Sequence, residues 1–424
     1  MTKIQKTRRN FLKDFSKWTL FLLINQILLS KKIFGNKRPK VVVIGLGFGG
    51  ATCVKYLSNF SQILDLIVIE KNQVIQTCPF SNLVIGEVMS YQKIIFTPKI
   101  KFYNTNVKYF DSNNKKIVFD NQDFINYDFL ILSPGIGFKA NQINGYSLDN
   151  SDHIPHCWDG KKKLSEFRKR MSSLENNSKI IISAPDYPYR CPPAPYERAS
   201  MIAYYLKRKG LKFKIYIFDS KNHFTKKEIF LQEWKEHYKD SIKWISRNEG
   251  GKVISLDQKN GLIKTTNGTK LKGDFIHIIP EQKASDLFSN SNLEIDEWCE
   301  VNPMTFEVNG QKDLFVVGDS IDAGDMPKSA FSAESQAKIL SINLVNLILQ
   351  KDFIDPVFLN TCYSFSAKDR AFSITAWYKL NSSKDRIVSL GSRQSNVISD
   401  DNERYKESLH AYGWYETVTK SLYS

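Results

Sequence analysis

The chain has 424 residues, 42% hydrophobic and 25% charged, which is enough apolar material to bury more than one core and too much for a disordered chain. Its 60 Lys and Arg against 44 Asp and Glu give a formal charge of +16, a balance that favours an acidic partner or an anionic surface. Lysine, asparagine and isoleucine are spread along the whole chain and no arginine patch is interleaved with aromatics, so nucleic-acid binding is excluded as a function class.

The first signal in chain order is an address. Residues 7–13, TRRNFLK, match the twin-arginine export pattern, and residues 18–29 follow as an apolar stretch interrupted by Asn25 and Gln26. Residues 1–36 are therefore set apart from the fold, and the periplasm is the expected destination. Export of this kind moves folded proteins, which suits a chain that acquires a cofactor first, and an oxidising destination permits disulfides. No A-x-A site precedes Lys31, so membrane association is expected only through an uncleaved signal.

The next segment, PKVVVIGLGFGGATCVKYLS, reads as a buried strand running into a helix. Gly45, Gly47 and Gly50 form GxGxxG at the junction: the first permits the tight turn, the second lets backbone approach a pyrophosphate, and the third lets helix and strand pack closely. A second strand, DLIVIEK, ends in Glu70, placed to accept from a ribose hydroxyl. Cys53 falls within the first helix and is expected in the core.

Two later segments have the same strand-to-turn form. YDFLILSPGIGF (127–138) carries Pro134 and Gly135, and KDLFVVGDS (312–320) ends in Gly318 and Asp319. With GxGxxG they resemble the three signatures of the two-dinucleotide-domain flavoproteins typified by glutathione reductase. That resemblance implies FAD as cofactor, with Asp319 hydrogen-bonding its ribityl chain.

Between these signatures lie KIIISAP (179–185) and FKIYIFD (213–219), predicted as the first two strands of a second dinucleotide domain, the latter ending in Asp219. The stretch joining them has no glycine before Gly210, and proline rings and side chains bar a pyrophosphate from its backbone. A helix is predicted over about 195–208 with Pro195 in its first turn, and its N-terminal amides would favour a thiolate on nearby Cys191.

Longer stretches, RCPPAPYERAS (190–200), MPKSAFSAESQAK (326–338) and LNTCYS (359–364), are similar to the flavoprotein subunit of flavocytochrome c sulfide dehydrogenase, and the likeness runs over nearly all of the chain after the signal. The resemblance implies that sulfide is the substrate and that Cys191 and Cys362 form a disulfide over the flavin ring. It also implies that Cys78, in TCPFSN (77–82), binds FAD covalently, that Glu197 is an acid/base group, and that a small c-type cytochrome subunit is the partner. The wording after the flavin cysteine departs from the family pattern at Pro79 and Phe80. The chain has no C-x-x-C-H, so haem belongs to another polypeptide. The related sulfide:quinone oxidoreductases share the fold and the cysteine logic. Spacing alone does not pair the six cysteines, and Cys157 and Cys299 have no assigned role.

The expected fold is therefore α/β, with two Rossmann-like dinucleotide-binding domains and a small C-terminal α+β domain. Residues 37–145 and 280–348 form the FAD domain, 146–279 a degenerate NAD-like domain carrying the redox cysteine, and 349–424 a C-terminal domain supplying Cys362 and aromatic cover from Trp414. Three functions compete: a periplasmic sulfide dehydrogenase feeding cytochrome c, a membrane-surface sulfide:quinone oxidoreductase, and a non-catalytic flavin-binding subunit.

Overall fold

A computed structural model describes residues 37–148, 154–158 and 161–424; the export motif at 7–13 and the apolar stretch behind it lie outside the described residues. Strand β1 (Lys40–Ile44) is KVVVI, with Val41, Val42 and Val43 fully buried, as a central strand covered on both faces requires. It turns at Gly45, φ +94°, into helix α1 (Phe48–Leu57). A Cβ on Gly50 would stand 1.8 Å from the Gly45 carbonyl oxygen, so this closeness of helix and strand is open only to glycine. Strands β2 (Asp65–Glu70) and β3 (Phe129–Leu132) flank β1 in parallel register, Val42 opposite both Ile67 and Leu130.

The inserted unit repeats the design. Strand β4 (Ser178–Ala184) leads into helix α2 (Ala194–Arg208), which buries Tyr196, Ala199, Ala203 and Leu206 along one stripe. Strand β5 (Phe213–Asp219), helix α3 (Lys227–Tyr238) and strands β6 (Ile242–Ile245) and β7 (Phe275–Ile278) complete a parallel sheet in the order β6-β5-β4-β7. Strand β8 (Leu314–Val316) then returns to the first sheet beside β3, giving β8-β3-β1-β2 with Tyr103–Asn104 at the far edge. Helix α4 (Ala330–Ile348) starts at Ser329, whose hydroxyl accepts from the Ser332 amide at 3.0 Å.

The C-terminal unit is an antiparallel sheet of β9 (Val357–Ala367), β10 (Arg370–Leu380) and β11 (Ile387–Gln394), closed by helix α5 (Asp401–Tyr423). Its Phe365, Phe372 and Tyr415 join the core of the inserted unit, as does Phe80 from the first. Among the described residues, no helix is long and apolar enough to cross a membrane.

An ionic cluster fixes this unit. Glu233 on α3, 1% exposed, accepts from Arg404 Nε at 2.9 Å, from Arg370 Nε at 2.9 Å and from the Ser366 hydroxyl at 2.5 Å. Burial alone would raise the Glu233 carboxyl, but the bonds from Arg370 and Ser366 outweigh it and pull the value from 4.5 to about 2. Removing the carboxylate strands the buried Arg404 guanidinium. Glu233→Ala is expected to cost about 3–5 kcal/mol in urea unfolding at neutral pH. Because the folded value is depressed, the contribution is full above the unfolded value and fades as pH falls from 4.5 to about 2. The gap between wild type and Glu233→Gln should close over that window, measured as urea midpoints against pH.

Candidate active site

The carboxyl ends of β1 and β3, the turn before α2 and strand β9 enclose a cavity of about 600 Å³. On the first domain's side, Gly47 presents open space where a Cβ would stand, while Gly45 and Gly50 are packed against backbone. The Glu70 carboxylate accepts from the amides of Leu46 at 2.8 Å and Asn72 at 2.9 Å and still lines the cavity, as do Pro134 and Gly135. Across from them stand Gly318 and Asp319. Asp319 Oδ1 and the Trp414 indole nitrogen are buried without a hydrogen-bond partner. Burial raises the Asp319 carboxyl, against the pull of Arg190 and Lys328. Bare backbone at Gly47 beside a helix N-terminus, a carboxylate at the second strand's end, and an acceptor and a donor awaiting partners suit a dinucleotide bearing a hydroxylated chain. These residues fit FAD.

Three thiols reach the same cavity from distant parts of the chain. Cys78 lies in the turn before the short helix Ser81–Ile85, Cys191 in the turn before α2, and Cys362 on β9. Cys191 takes φ 60°, in the left-handed region that favours glycine. The turn is held there by bonds from Cys191 N to the Lys328 carbonyl at 2.8 Å and from Arg190 N to Gln282 Oε1 at 2.8 Å. The backbone shape of a glycine turn thus persists without the glycine.

All six cysteines stand as thiols, with Cys78, Cys191 and Cys362 on the wall of one cavity, and a hydrogen bond between sulfurs joins Cys191 to Cys78. That bond lowers the Cys78 thiol and raises the Cys191 thiol, which burial raises further. Burial also raises Cys362, opposed by the Lys226 ammonium. Cys53 is fully buried in α1, as expected, and both it and Cys299 are pushed up to about 12 by burial, which leaves them unreactive. Cys157 lines the cavity, its thiol 3.2 Å from the Lys163 carbonyl.

Glu197 sits in the first turn of α2 and faces the cysteines. Its Oε2 accepts from Asn82 at 2.7 Å and its Oε1 from the Phe365 amide at 2.9 Å. Burial raises its carboxyl, so it holds a proton more readily than an exposed glutamate. Asn82 is in turn fixed by Arg198 Nε at 2.9 Å, and the buried Arg198 lies over the Trp158 ring at 4.2 Å and donates to the His156 carbonyl at 2.8 Å. Sequence reasoning named neither Asn82 nor Arg198, although both stand inside the stretches TCPFSN and RCPPAPYERAS. It also missed Lys226, which nothing in its surroundings in the sequence distinguishes from a surface lysine.

The second dinucleotide domain has filled its own ligand site. Asp219, at the end of β5 where a ribose would be met, is fully buried and accepts from Tyr196 at 2.5 Å, Lys221 Nζ at 2.6 Å and Trp244 at 2.9 Å. The rings of Tyr187 and Tyr189 stack 5.3 Å apart in the turn after β4, with the Lys221 ammonium 4.9 Å from the latter. The turn after β4 thus carries aromatic rings and a lysine where a glycine-rich turn would leave its backbone bare.

Comparison with known proteins agrees with this layout. Residues 39–180 match the pyridine nucleotide-disulphide oxidoreductase family, residues 165–280 the central domain of the sulfide dehydrogenase [flavocytochrome c] flavoprotein chain, and residues 354–423 the flavocytochrome c sulphide dehydrogenase flavin-binding domain. A sulfide-quinone reductase of Aquifex aeolicus is 27% identical over 186 residues, covering 41% of this chain and 41% of its own. A coenzyme A disulfide reductase of Staphylococcus aureus is 32% identical over 141 residues, 27% of this chain and 32% of its own, so the matches span less than half of these relatives. The solved sulfide:quinone oxidoreductase of Aquifex aeolicus superposes with a TM-score of 0.69 at 17% identity over 90% of this chain and 92% of its own, which shows a shared fold. In its central and flavin-binding domains the chain is similar to the flavoprotein chain of flavocytochrome c sulfide dehydrogenase, and in its first domain to the pyridine nucleotide-disulphide oxidoreductases.

Proposed function

We propose that the protein is the FAD-dependent flavoprotein subunit of a periplasmic sulfide dehydrogenase that oxidises sulfide at a disulfide between Cys191 and Cys362. The observation that carries this reading is the meeting of Cys78, Cys191 and Cys362 in one cavity bearing dinucleotide-binding residues, beside a second domain whose own nucleotide site is filled.

The chemistry is thiol–disulfide exchange. Hydrosulfide attacks one sulfur of the disulfide; a new sulfur–sulfur bond forms, the old one breaks, and one cysteine carries a persulfide while the other leaves as thiolate. Where the entering species is neutral hydrogen sulfide, Glu197 takes its proton, held in place by Asn82 and the Phe365 amide. Gly45, Gly47, Glu70, Pro134, Gly135, Gly318, Asp319 and Trp414 hold the cofactor, with Cys78 as its covalent tether. Bound FAD supplies a two-electron acceptor for the thiolate and a one-electron outlet to a c-type cytochrome on another chain. Sulfide:quinone oxidation is the second reading, favoured by the Aquifex aeolicus relative and its fold.

Three measurements test the proposal. Acid precipitation of wild type should leave the yellow colour in the pellet, whereas Cys78→Ser should release it to the supernatant; free FAD from intact wild type refutes the tether alone. In stopped flow, Cys191→Ser and Cys362→Ser should keep their flavin yet lose its bleaching by sulfide by more than about 100-fold, and NADH should bleach none of the proteins. Bleaching of either variant at the wild-type rate contradicts the disulfide. Steady-state turnover with sulfide should be supported by cytochrome c; activity confined to a ubiquinone analogue would move the assignment to the quinone reductase.

A further inference from the structure

Lys226 is the least expected residue of the site. It is 3% exposed, takes φ 64° at the start of α3, and its Nζ donates to the Cys362 carbonyl and to the Ser364 hydroxyl, both at 2.8 Å. Its ammonium lies 5.5 Å from the Phe372 ring centre. No carboxylate pairs with it directly among the described residues, and a buried cation is stable only where counter-charge faces it. Burial lowers the Lys226 ammonium, against the pull of Cys362, Glu197, Cys191 and Glu407. The ammonium is anchored on the backbone of Cys362 itself, and Cys362 is the thiol whose rise on burial it opposes. Cys191 meets chiefly Cys78, Cys362 and Glu197; Arg198 and Lys226 also act on it, the latter from its anchor at Cys362.

We infer that Lys226 sets the direction in which the disulfide opens: its ammonium supports the thiolate leaving on Cys362, so that the sulfur of hydrosulfide is added to Cys191. The inference rests on the sulfide reading above. In the step, HS⁻ bonds to the Cys191 sulfur and keeps its proton as the persulfide, the Cys191–Cys362 bond breaks, and its electron pair leaves on Cys362; charge and electrons balance. In exchange reactions the sulfur whose thiolate is better stabilised departs faster, so a fixed cation beside one cysteine is sufficient to choose between two otherwise similar attacks. Lys226 acts through Cys362 and is a positioning residue.

The test is a single turnover of the air-oxidised holoprotein with one equivalent of sulfide under anaerobic conditions, quenched with iodoacetamide and read by peptide mass spectrometry. Wild type should carry the added sulfur on Cys191 and a plain alkylated thiol on Cys362. Lys226→Met, with flavin content as in wild type, should divide the persulfide between the two cysteines and slow opening about 10-fold, and Lys226→Arg should restore the wild-type pattern. A persulfide on Cys362 in wild type, or a Lys226→Met protein with unchanged partition and rate, overturns the inference while leaving sulfide chemistry intact. No persulfide on either cysteine of wild type overturns both. The wild-type partition needs no variant, so the inference remains exposed to refutation even where Lys226→Met fails to fold.

Discussion

The seam between the inserted domain and strands β9 and β10 is the constraint on which the site depends. Three charged side chains of the inserted domain cross it: Glu197 to the Phe365 amide, Lys226 to the Cys362 carbonyl and Ser364, and Glu233 to Ser366, Arg370 and Arg404. Each is buried against polar partners that would otherwise be unsatisfied, so the seam tolerates little displacement. Bonds at alternate residues along β9 fix its register against the inserted domain, and with it the position of Cys362. A greasy contact of equal area would hold the strand less specifically, because hydrophobic attraction has no direction.

Much of the scaffold was legible in the sequence because its signals are local. Val41 to Ile44 followed by GxGxxG demanded a strand, a turn and a helix, and the chain folds so. FKIYIFD is a strand over Phe213–Asp219, and the proline-rich stretch leads into a helix at Ala194. What escaped depends on contacts between residues distant in sequence. Lys226 is the first of a pair of lysines and becomes a buried cation only through the approach of β9. Glu233 has the look of a solvent-facing helical glutamate until Arg370 and Arg404 arrive from the C-terminal unit. The pairing of Cys191 with Cys362 came from resemblance; the structure brings both, with Cys78, to one cavity from distant parts of the chain, a meeting that residue spacing does not encode.

The inserted domain illustrates how a ligand site is lost without loss of fold. Its parallel sheet keeps full register from Ser178 opposite Phe213 to Ala184 opposite Asp219. The carboxylate at the end of β5 points inward to Tyr196, Lys221 and Trp244, and Lys221 also holds the Pro185 carbonyl where the turn after β4 begins. Atoms that could meet a ligand are committed to one another.

The left-handed backbone at Cys191 sets stability against chemistry at a single position. A glycine there would relax a conformation that a side chain resists, at a cost of order 1–3 kcal/mol. A change of this codon to glycine therefore gives a sturdier protein, whereas other side chains keep the strain and lose the thiol as well. The sulfur atom is thus held in place against the local preference of the backbone that carries it.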